Sequence, residues 1–299
     1  MVSDELERQN NKNCTVVVSS CDKCSDLWYP FFLLFQKAWP ENEFSIVLNT
    51  ESKTYQHPGI NIETFCLYKE NENVPWGKRL KETLKKIDTE YIIFLLDDFF
   101  LRDRVDHKHV LQCIEWMEED KSISSFCFME SNSKNIQDYR YNGFERRPLL
   151  GAYKFNCQAA VWRRKRLIGY LRNNEDPWQW ERFGNWRSYR YLLHKFYSQS
   201  AGQEYIFPYI HKIKGWAWGG LALYRGKWYL PCVEKLFAEN KIHVDFTIRG
   251  TVDETAFMPK PLPPKESYEG WKRRLFFLRP LYGKIYNIIT IIKNLGHLF

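Results

Sequence analysis

The chain alternates short apolar runs with longer segments of helical periodicity, and this alternation limits the fold more than any other feature. Five apolar runs in the first 130 residues have the length of buried strands. They lie at residues 14–19, 44–50, 60–68, 91–97 and 123–129. Helical patterns lie between them at residues 27–39 and 76–87 and from a cap at Asp106 to Glu119. Strands separated by helices predict an α/β fold with a mainly parallel sheet and flanking helices.

The pattern changes after residue 139. Residues 155–162 predict a strand, residues 163–173 a short helix, and Pro177 the start of a second helix. The glycine-rich and tryptophan-rich run at 215–230 is typical of a loop and hairpin. Residues 258–264 predict an extended proline-rich linker, and apolar residues beyond it have helical spacing.

Composition excludes several functional classes. The net charge is +8 over 299 residues, but residues 265–299 hold seven basic residues against two acidic ones. Because a nucleic-acid binder spreads its charge over the body, no nucleic-acid partner is predicted. The glycine patterns of dinucleotide-binding and P-loop enzymes do not occur. The aromatic fraction of 17% suits either a packed core or a surface that stacks sugars or bases.

Several features favour a cytoplasmic location. The acidic start "MVSDELERQN" is unlike a secretory signal, and no window of about 18 residues is uninterruptedly apolar. Most of the eight cysteines lie in apolar segments, as buried thiols do in a reducing compartment. Cys21 and Cys24 form a C-x-x-C without a second pair nearby, so a structural zinc is not predicted.

The strand "YIIFLLDD" ends in two adjacent carboxylates, Asp97 and Asp98. In parallel sheets, ligands gather where strands end, and polar residues also follow the runs at 14–19 and 44–50. One interpretation is a solvated strand end whose acids pair with Arg102 and Arg104. The other is a site for Mn²⁺ or Mg²⁺, which would bind a diphosphate.

The helix "WGKRLKETLKKI", the strand ending in Asp-Asp, and the helix and strand that follow resemble the donor half of GT-A fold nucleotide-sugar glycosyltransferases. The resemblance is to bacterial surface-polysaccharide enzymes of the family 2 type. It implies a Rossmann-like domain that binds a UDP- or GDP-sugar. The residues implied to contact the donor are Ser19, Ser20, Asp22, Glu51, Gly77, Arg79 and Asp97.

The resemblance also implies that Asp98 holds the metal, with His243 as a further ligand. His211 is an alternative, and both histidines also suit ordinary surface or packing positions. Family members often carry another acid two residues after the first. Phe99 stands there in this chain, so metal ligation would rest mainly on Asp98.

The segment "FNCQAAVWRRKRLIGYLRNNEDPWQWE" resembles the acceptor side of the same family. This implies a catalytic base, for which Glu181 is the first candidate, Asp176 the second and Glu175 the third. An apolar pocket would raise the pKa of such a base. In the alternative interpretation, Glu175 and Asp176 cap the helix that Pro177 begins. The residues that either bind the acceptor or pack in the core are Trp178, Trp180 and Trp218.

These patterns predict a glycosyltransferase domain at residues 1–257, with a donor half at 14–130 and an acceptor half at 139–257. The linker at 258–264 leads to a basic amphipathic C-terminal helical tail at 265–299. The tail mixes Lys and Arg with Trp, Phe and Ile, which suits an anionic membrane surface. Packing against the domain or a second subunit is the alternative.

The prediction is an inverting hexosyltransferase, peripheral on the inner face of the plasma membrane. It would move a sugar to a saccharide or lipid-linked acceptor in capsule or O-antigen biosynthesis. A nucleotidyltransferase is one alternative, although the first strand lacks a glycine-rich loop. A non-catalytic sugar-binding or scaffold protein with the same fold is the other.

Overall fold

The computed structural model describes residues 13–70, 72–131, 134–151, 153–209 and 222–253. These residues form a nine-stranded sheet, a smaller three-stranded sheet and flanking helices. The predicted α/β class is confirmed. The predicted linker and tail lie outside the described residues, and the division into donor and acceptor halves stays a prediction.

The first four strands form one parallel block. They are β1 (Cys14–Ser19), β2 (Ser45–Thr50), β3 (Ile62–Cys66) and β4 (Tyr91–Leu96), in the spatial order β3-β2-β1-β4. Ser19 pairs with both Asn49 and Leu96, so β1, β2 and β4 end side by side. The residues that follow these strands therefore meet at one edge of the sheet.

Helices connect β1 to β2 and β3 to β4, and a further helix follows β4, whereas residues 51–61 join β2 to β3 without a helix. The helices are a short 3-10 helix (Asp22–Leu27), α1 (Trp28–Ala38), α2 (Trp76–Lys86) and α3 (His107–Glu119). In α2, Leu80 and Leu84 are buried on one face. The predicted cap of α3 is confirmed, because the Asp106 carboxylate accepts a hydrogen bond from the His109 N–H at 3.0 Å.

The sheet continues through the second half of the chain. Its further strands are β5 (Ile123–Glu130), β6 (Ile136–Gln137), β7 (Phe144–Arg146), β8 (Ala160–Arg163) and β9 (Lys195–Gln199). The spatial order from β4 is β4-β8-β5-β9-β7-β6. Because β8 is antiparallel to β4 and β5, its first residue lies at the edge where those two strands end.

In the second half of the chain, one predicted strand boundary was wrong and three strands were not predicted. The strand predicted at 155–162 begins only at Ala160, and residues 155–159 lead into it without strand pairing. The helix predicted after Pro177 ends at Ser188, and the chain then turns into β9, which was not predicted. The edge strands β6 and β7 are two and three residues long, too short for an alternating pattern to show.

The remaining elements are α4 (Arg164–Tyr170), α5 (Pro177–Ser188), β10 (Leu223–Tyr224), β11 (Lys227–Tyr229), α6 (Leu230–Glu239) and β12 (Thr251–Val252). Strands β10 and β11 pair antiparallel, so the predicted hairpin is confirmed for these residues. Within the described ranges, no helix has the length and apolarity required to cross a bilayer.

Much of the aromatic content lies in the core. The largest fully buried side chains include Trp39, Trp162, Trp180 and Trp228. The rings of Phe155 and Trp180 stack face to face, with centroids 4.7 Å apart. The packed-core interpretation therefore accounts for these four tryptophans, which present little surface to a ligand.

Candidate active site

The ends of β1, β2 and β4 are joined by hydrogen bonds. The Ser20 N–H donates to the Asn49 carbonyl at 2.9 Å, and the Ser20 hydroxyl donates to the Asp97 carboxylate. The Trp28 indole N–H donates to the same hydroxyl at 2.6 Å. Asp97, 8% exposed, is thereby held against the end of β1.

Arg79 reaches this edge from α2. Its guanidinium donates to the Ser20 carbonyl at 2.6 Å and pairs with the Glu51 carboxylate at 2.9 Å. Glu51 in turn accepts a hydrogen bond from the Asp22 N–H. The structure therefore brings Ser20, Asp22, Glu51 and Arg79 together, and Arg79 is 4% exposed within this network.

The lack of a side chain at Gly77 allows α2 to lie close to the loop that connects α4 to α5. A Cβ atom at this position would lie 2.0 Å from the Arg172 carbonyl oxygen, which no side chain tolerates. The Gly77 N–H donates to the Glu175 carbonyl at 2.8 Å. Gly77 therefore has a packing role between α2 and the loop that connects α4 to α5.

The Asp22 carboxylate is hydrogen-bonded to the loop that follows β2. Its carboxylate accepts hydrogen bonds from the Ser52 hydroxyl at 2.6 Å and the Lys53 N–H at 3.1 Å. Burial raises the pKa of Asp22, but the hydrogen bonds from Ser52 and Lys53 outweigh it and lower the pKa overall. Ser19 is likewise engaged, since its hydroxyl accepts from the Trp76 indole N–H at 3.0 Å.

The pKa values of Asp97 and Asp98 are both raised. Burial, and then the charge of Asp98, raise the pKa of Asp97 well above its usual value, while the Ser20 hydrogen bond opposes them. Burial raises the pKa of Asp98 to about 6. One oxygen of Asp98 is buried without a hydrogen-bond partner among the residues that the structure describes. Arg104, a candidate partner from the sequence, pairs with Glu41 instead.

The orphaned oxygen of Asp98 fits a hard divalent cation. Mg²⁺ and Mn²⁺ prefer carboxylate oxygens and commonly complete their coordination with phosphate oxygens and water. In the part of the chain that the structure describes, no three His, Cys, Asp or Glu side chains form a metal-binding group. His243 lies exposed in the loop after α6. The ring of Phe99 is buried and stacks on Tyr209 with centroids 4.2 Å apart.

Sequence reasoning missed Arg249, which also faces this edge. Its guanidinium makes a two-pronged ion pair with Asp26, at 2.6 and 2.5 Å. The charge of Arg249 lowers the pKa of both Asp97 and Asp98. No local signal could have found it, because 223 residues separate Arg249 from Asp26.

Glu181, the first candidate base, lies half-buried on α5. Its carboxylate accepts a hydrogen bond from the Cys157 N–H at 2.9 Å. Burial raises the pKa of Glu181, and this hydrogen bond opposes the shift. The pKa of the Cys157 thiol is raised by burial, then by the charges of Glu181, Asp98 and Asp176. The predicted base and the predicted metal ligand therefore lie close to the same thiol.

The other two acids have structural roles. Asp176 is the N-cap of α5: its carboxylate accepts from the Gln179 N–H at 2.7 Å, and the Gln179 side chain accepts from the Asp176 N–H at 3.0 Å. The capping interpretation is confirmed for Asp176. Glu175 is not a cap, because it is fully buried and forms a two-pronged ion pair with Arg187.

The predicted acceptor tryptophans differ in exposure. Trp178 is 75% exposed and presents its ring to solvent. Trp180 is 2% exposed, and its ring is covered by Phe155. Trp180 is therefore a core residue in this structure. Trp218 and His211 lie outside the described residues.

A scan against protein-family models and a search of curated proteins found no match. Solved structures similar to the chain include TarS of S. aureus, at 14% identity and a TM-score of 0.41, over 63% of this chain and 37% of that one. TarS 1-349 in complex with UDP-GlcNAc is 15% identical, with a TM-score of 0.38, over 65% of this chain and 60% of that one.

A third similar structure is the mannosyltransferase PcManGT from Pyrobaculum calidifontis in complex with GDP-Man and Mn²⁺. It is 11% identical, with a TM-score of 0.33, over 51% of this chain and 45% of that one. The chain thus spans between 37% and 60% of the length of these three structures. Since the three TM-scores are below 0.5, the functional proposal rests on the chain's own geometry.

Proposed function

We propose that the chain is a glycosyltransferase that moves a sugar from a nucleotide-sugar to a saccharide or lipid-linked acceptor, with inversion at the anomeric carbon. The observation that carries the proposal is the hydrogen bond of 2.9 Å from the Cys157 N–H to the Glu181 carboxylate, because Cys157 lies just before β8, which pairs with the strand that Asp97 and Asp98 follow. A general base and an acidic strand end at the same edge of a Rossmann-like sheet are what such a transfer requires.

In this proposal, the donor lies along the ends of β1, β2 and β4. The loops at Asp22 and Glu51 would face the nucleoside, and Asp97 and Asp98 the sugar-diphosphate. Mn²⁺ or Mg²⁺ held by Asp98 would offset the diphosphate charge when bound. Arg79 acts here as a positioning residue, because its guanidinium is engaged by Ser20 and Glu51.

Glu181 is the proposed base. It would take the proton of the acceptor hydroxyl as the hydroxyl oxygen bonds to the anomeric carbon. The bond from that carbon to the diphosphate breaks, and the nucleoside diphosphate leaves with the electron pair. A pKa raised by burial brings Glu181 closer to the working pH, which favours this role over the capping carboxylate Asp176.

A thermal-shift titration tests donor binding. UDP-GlcNAc and GDP-Man are the first ligands to try, because two of the similar structures hold them. We expect one nucleotide-sugar with Mn²⁺ to raise the melting temperature, and Asp98→Asn to abolish the shift. Asp103→Asn is the matched control, since it makes the same change on an exposed carboxylate five residues later.

The outcomes separate the alternatives. A shift accompanied by transfer to an acceptor supports the proposal, whereas a shift without transfer favours a sugar-binding or scaffold protein. Release of pyrophosphate from a nucleoside triphosphate would favour a nucleotidyltransferase. No shift with any nucleotide-sugar would overturn the proposal.

We also propose that the basic segment at 265–299 holds the enzyme on the inner face of the plasma membrane, where surface-polysaccharide precursors are assembled. Seven cations in this segment support the proposal, at about 1 kcal/mol for each cation near an anionic surface. Deletion of 265–299 should abolish sedimentation with anionic vesicles. Equal sedimentation of both forms would rule the proposal out.

A further inference from the structure

Two half-buried thiols lie at the end of β1, and the proposed transfer does not use them. The sulfur atoms of Cys21 and Cys24 are 3.4 Å apart. We propose that Cys21 and Cys24 are a redox-active pair, which a low-molecular-weight disulfide such as glutathione disulfide converts into an intramolecular disulfide. This proposal does not depend on the glycosyltransferase activity.

The local backbone brings the two side chains together. Cys21 precedes the 3-10 helix Asp22–Leu27, and the Cys24 N–H donates to the Cys21 carbonyl at 2.8 Å. In this type of turn, side chains three residues apart lie one above the other. A disulfide requires sulfur atoms about 2.05 Å apart, so closing the bond takes an approach of little more than about 1 Å.

Exposure separates these thiols from most other cysteines of the chain. Five of the eight are buried, and only Cys21, Cys24 and Cys66 are half-buried. Cys66 contacts no thiol: its sulfur lies 3.0 Å from the Lys53 carbonyl oxygen and 3.4 Å from the Thr50 hydroxyl. Cys66 therefore provides a control of similar exposure without a partner sulfur.

The charges around Cys21 favour its reactive form. The Cys24 thiol stabilises the Cys21 thiolate by a hydrogen bond and, with help from Arg79, lowers the pKa of Cys21 to about 7; burial and Glu51 oppose this. Asp97 also faces Cys21 from the end of β4. The same hydrogen bond raises the pKa of Cys24. Because thiolates are the nucleophiles, Cys21 is the attacking sulfur and Cys24 the resolving one.

The thiol–disulfide exchange proceeds in two steps. The Cys21 thiolate attacks one sulfur of glutathione disulfide, which forms a Cys21–glutathione mixed disulfide and releases one glutathione thiolate. Cys24 then loses its proton and attacks the Cys21 sulfur, which releases the second glutathione. The two protein thiols are oxidised, glutathione disulfide is reduced to two glutathiones, and these take up the two thiol protons.

The test is peptide mapping of the full chain, without reducing agent, after incubation with glutathione disulfide. We expect a Cys21–Cys24 cross-linked peptide in the wild type, two hydrogens lighter than the reduced peptide, and the same peptide in Cys66→Ser. In Cys24→Ser we expect the mixed disulfide to accumulate at Cys21, because the resolving thiol is missing. Absence of the cross-link in the wild type would overturn the proposal.

Alkylation kinetics provide a second readout that does not require the Cys24→Ser variant to fold. The rate of iodoacetamide labelling at Cys21 in the wild type should rise with pH, reach half of its maximum near pH 7, where half of the thiol is ionised, and level off at higher pH. A labelling rate at Cys21 without a midpoint near pH 7 would contradict the assignment of Cys21 as the attacking thiolate.

Discussion

The Glu181 carboxylate accepts a hydrogen bond from the Cys157 main-chain N–H at 2.9 Å. This bond fixes a carboxylate of α5 beside the amino end of β8, which pairs with β4, the strand that Asp97 and Asp98 follow. The backbone thus orients Glu181, and burial raises the pKa of its carboxylate. Both properties are expected of a general base.

The first prediction concerns Glu181→Gln. Glutamine keeps the shape and the oxygen that accepts from Cys157 but cannot take a proton. Transfer should fall by about 10²–10⁴-fold, the usual contribution of a positioned base, while donor affinity stays unchanged. Steady-state transfer and thermal-shift titrations measure the two effects.

The control for this variant is Asp176→Asn. Asparagine is a good N-cap, so helix α5 and the fold should survive, and transfer should persist. If Asp176→Asn lost transfer while Glu181→Gln kept it, the assignment of the base would move to Asp176.

The second prediction is the pH dependence of Glu181. Its raised pKa means that the folded state holds this proton to higher pH than the unfolded chain does. The stabilisation of the folded state by this proton is therefore fully present below the ordinary pKa of 4.5. It is lost as pH rises through the raised pKa of Glu181. Under the proposed function, transfer should rise over the same window, because only the ionised carboxylate can take the proton of the acceptor.

The melting temperature and the transfer rate, measured from about pH 5 to about pH 8, show both trends. The difference in melting temperature between Glu181→Gln and the wild type isolates this residue from Asp97 and Asp98, which also titrate with raised pKa values. A difference that stayed constant with pH would refute the assigned shift.

The third prediction separates two neighbouring tryptophans. Trp180→Ala should cost about 3–5 kcal/mol in the free energy of unfolding, because it empties a stacked core position. Trp178→Ala should change stability by less than about 0.5 kcal/mol, because that ring is 75% exposed. Urea unfolding measures both.

Under the proposed function, Trp178→Ala should also raise the KM for the acceptor and leave donor binding unchanged. Acceptor titrations at saturating donor measure this effect. An unaltered acceptor KM would show that Trp178 has no part in acceptor binding.

Local periodicity explains what could be predicted from the sequence. Strands β1 and β2 have apolar centres, VVV and IVL, and β4 is apolar throughout, so the amino-acid pattern locates these strands and, after β4, Asp97 and Asp98. Strand β9 could not be located in this way, because "HKFYSQS" continues the aromatic and basic composition of the preceding helix.

Contacts between distant segments could not be predicted, because they leave no local pattern. The resemblance implies a donor contact at Gly77, and no local pattern indicates that its N–H donates to the carbonyl of Glu175 at 2.8 Å, almost a hundred residues away. Likewise, no local pattern indicates that Arg249 pairs with Asp26. Such pairings depend on the order of strands in the sheet, which periodicity does not record.

The fourth prediction concerns the ion pair between Glu175 and Arg187. Both side chains are almost completely buried, and the guanidinium also lies over the Trp180 ring, 5.7 Å from its centroid. Arg187→Met should cost about 3–5 kcal/mol in unfolding free energy, because it leaves an uncompensated carboxylate in the core.

The double variant Glu175→Leu with Arg187→Met should recover most of that loss, because removing both charges removes the desolvation penalty of each. Urea unfolding of the wild type, both single variants and the double variant gives the coupling free energy. Additive effects would mean that the two charges do not stabilise each other. A strong coupling would show that the two charges stabilise each other and so tie the loop before α5 to that helix.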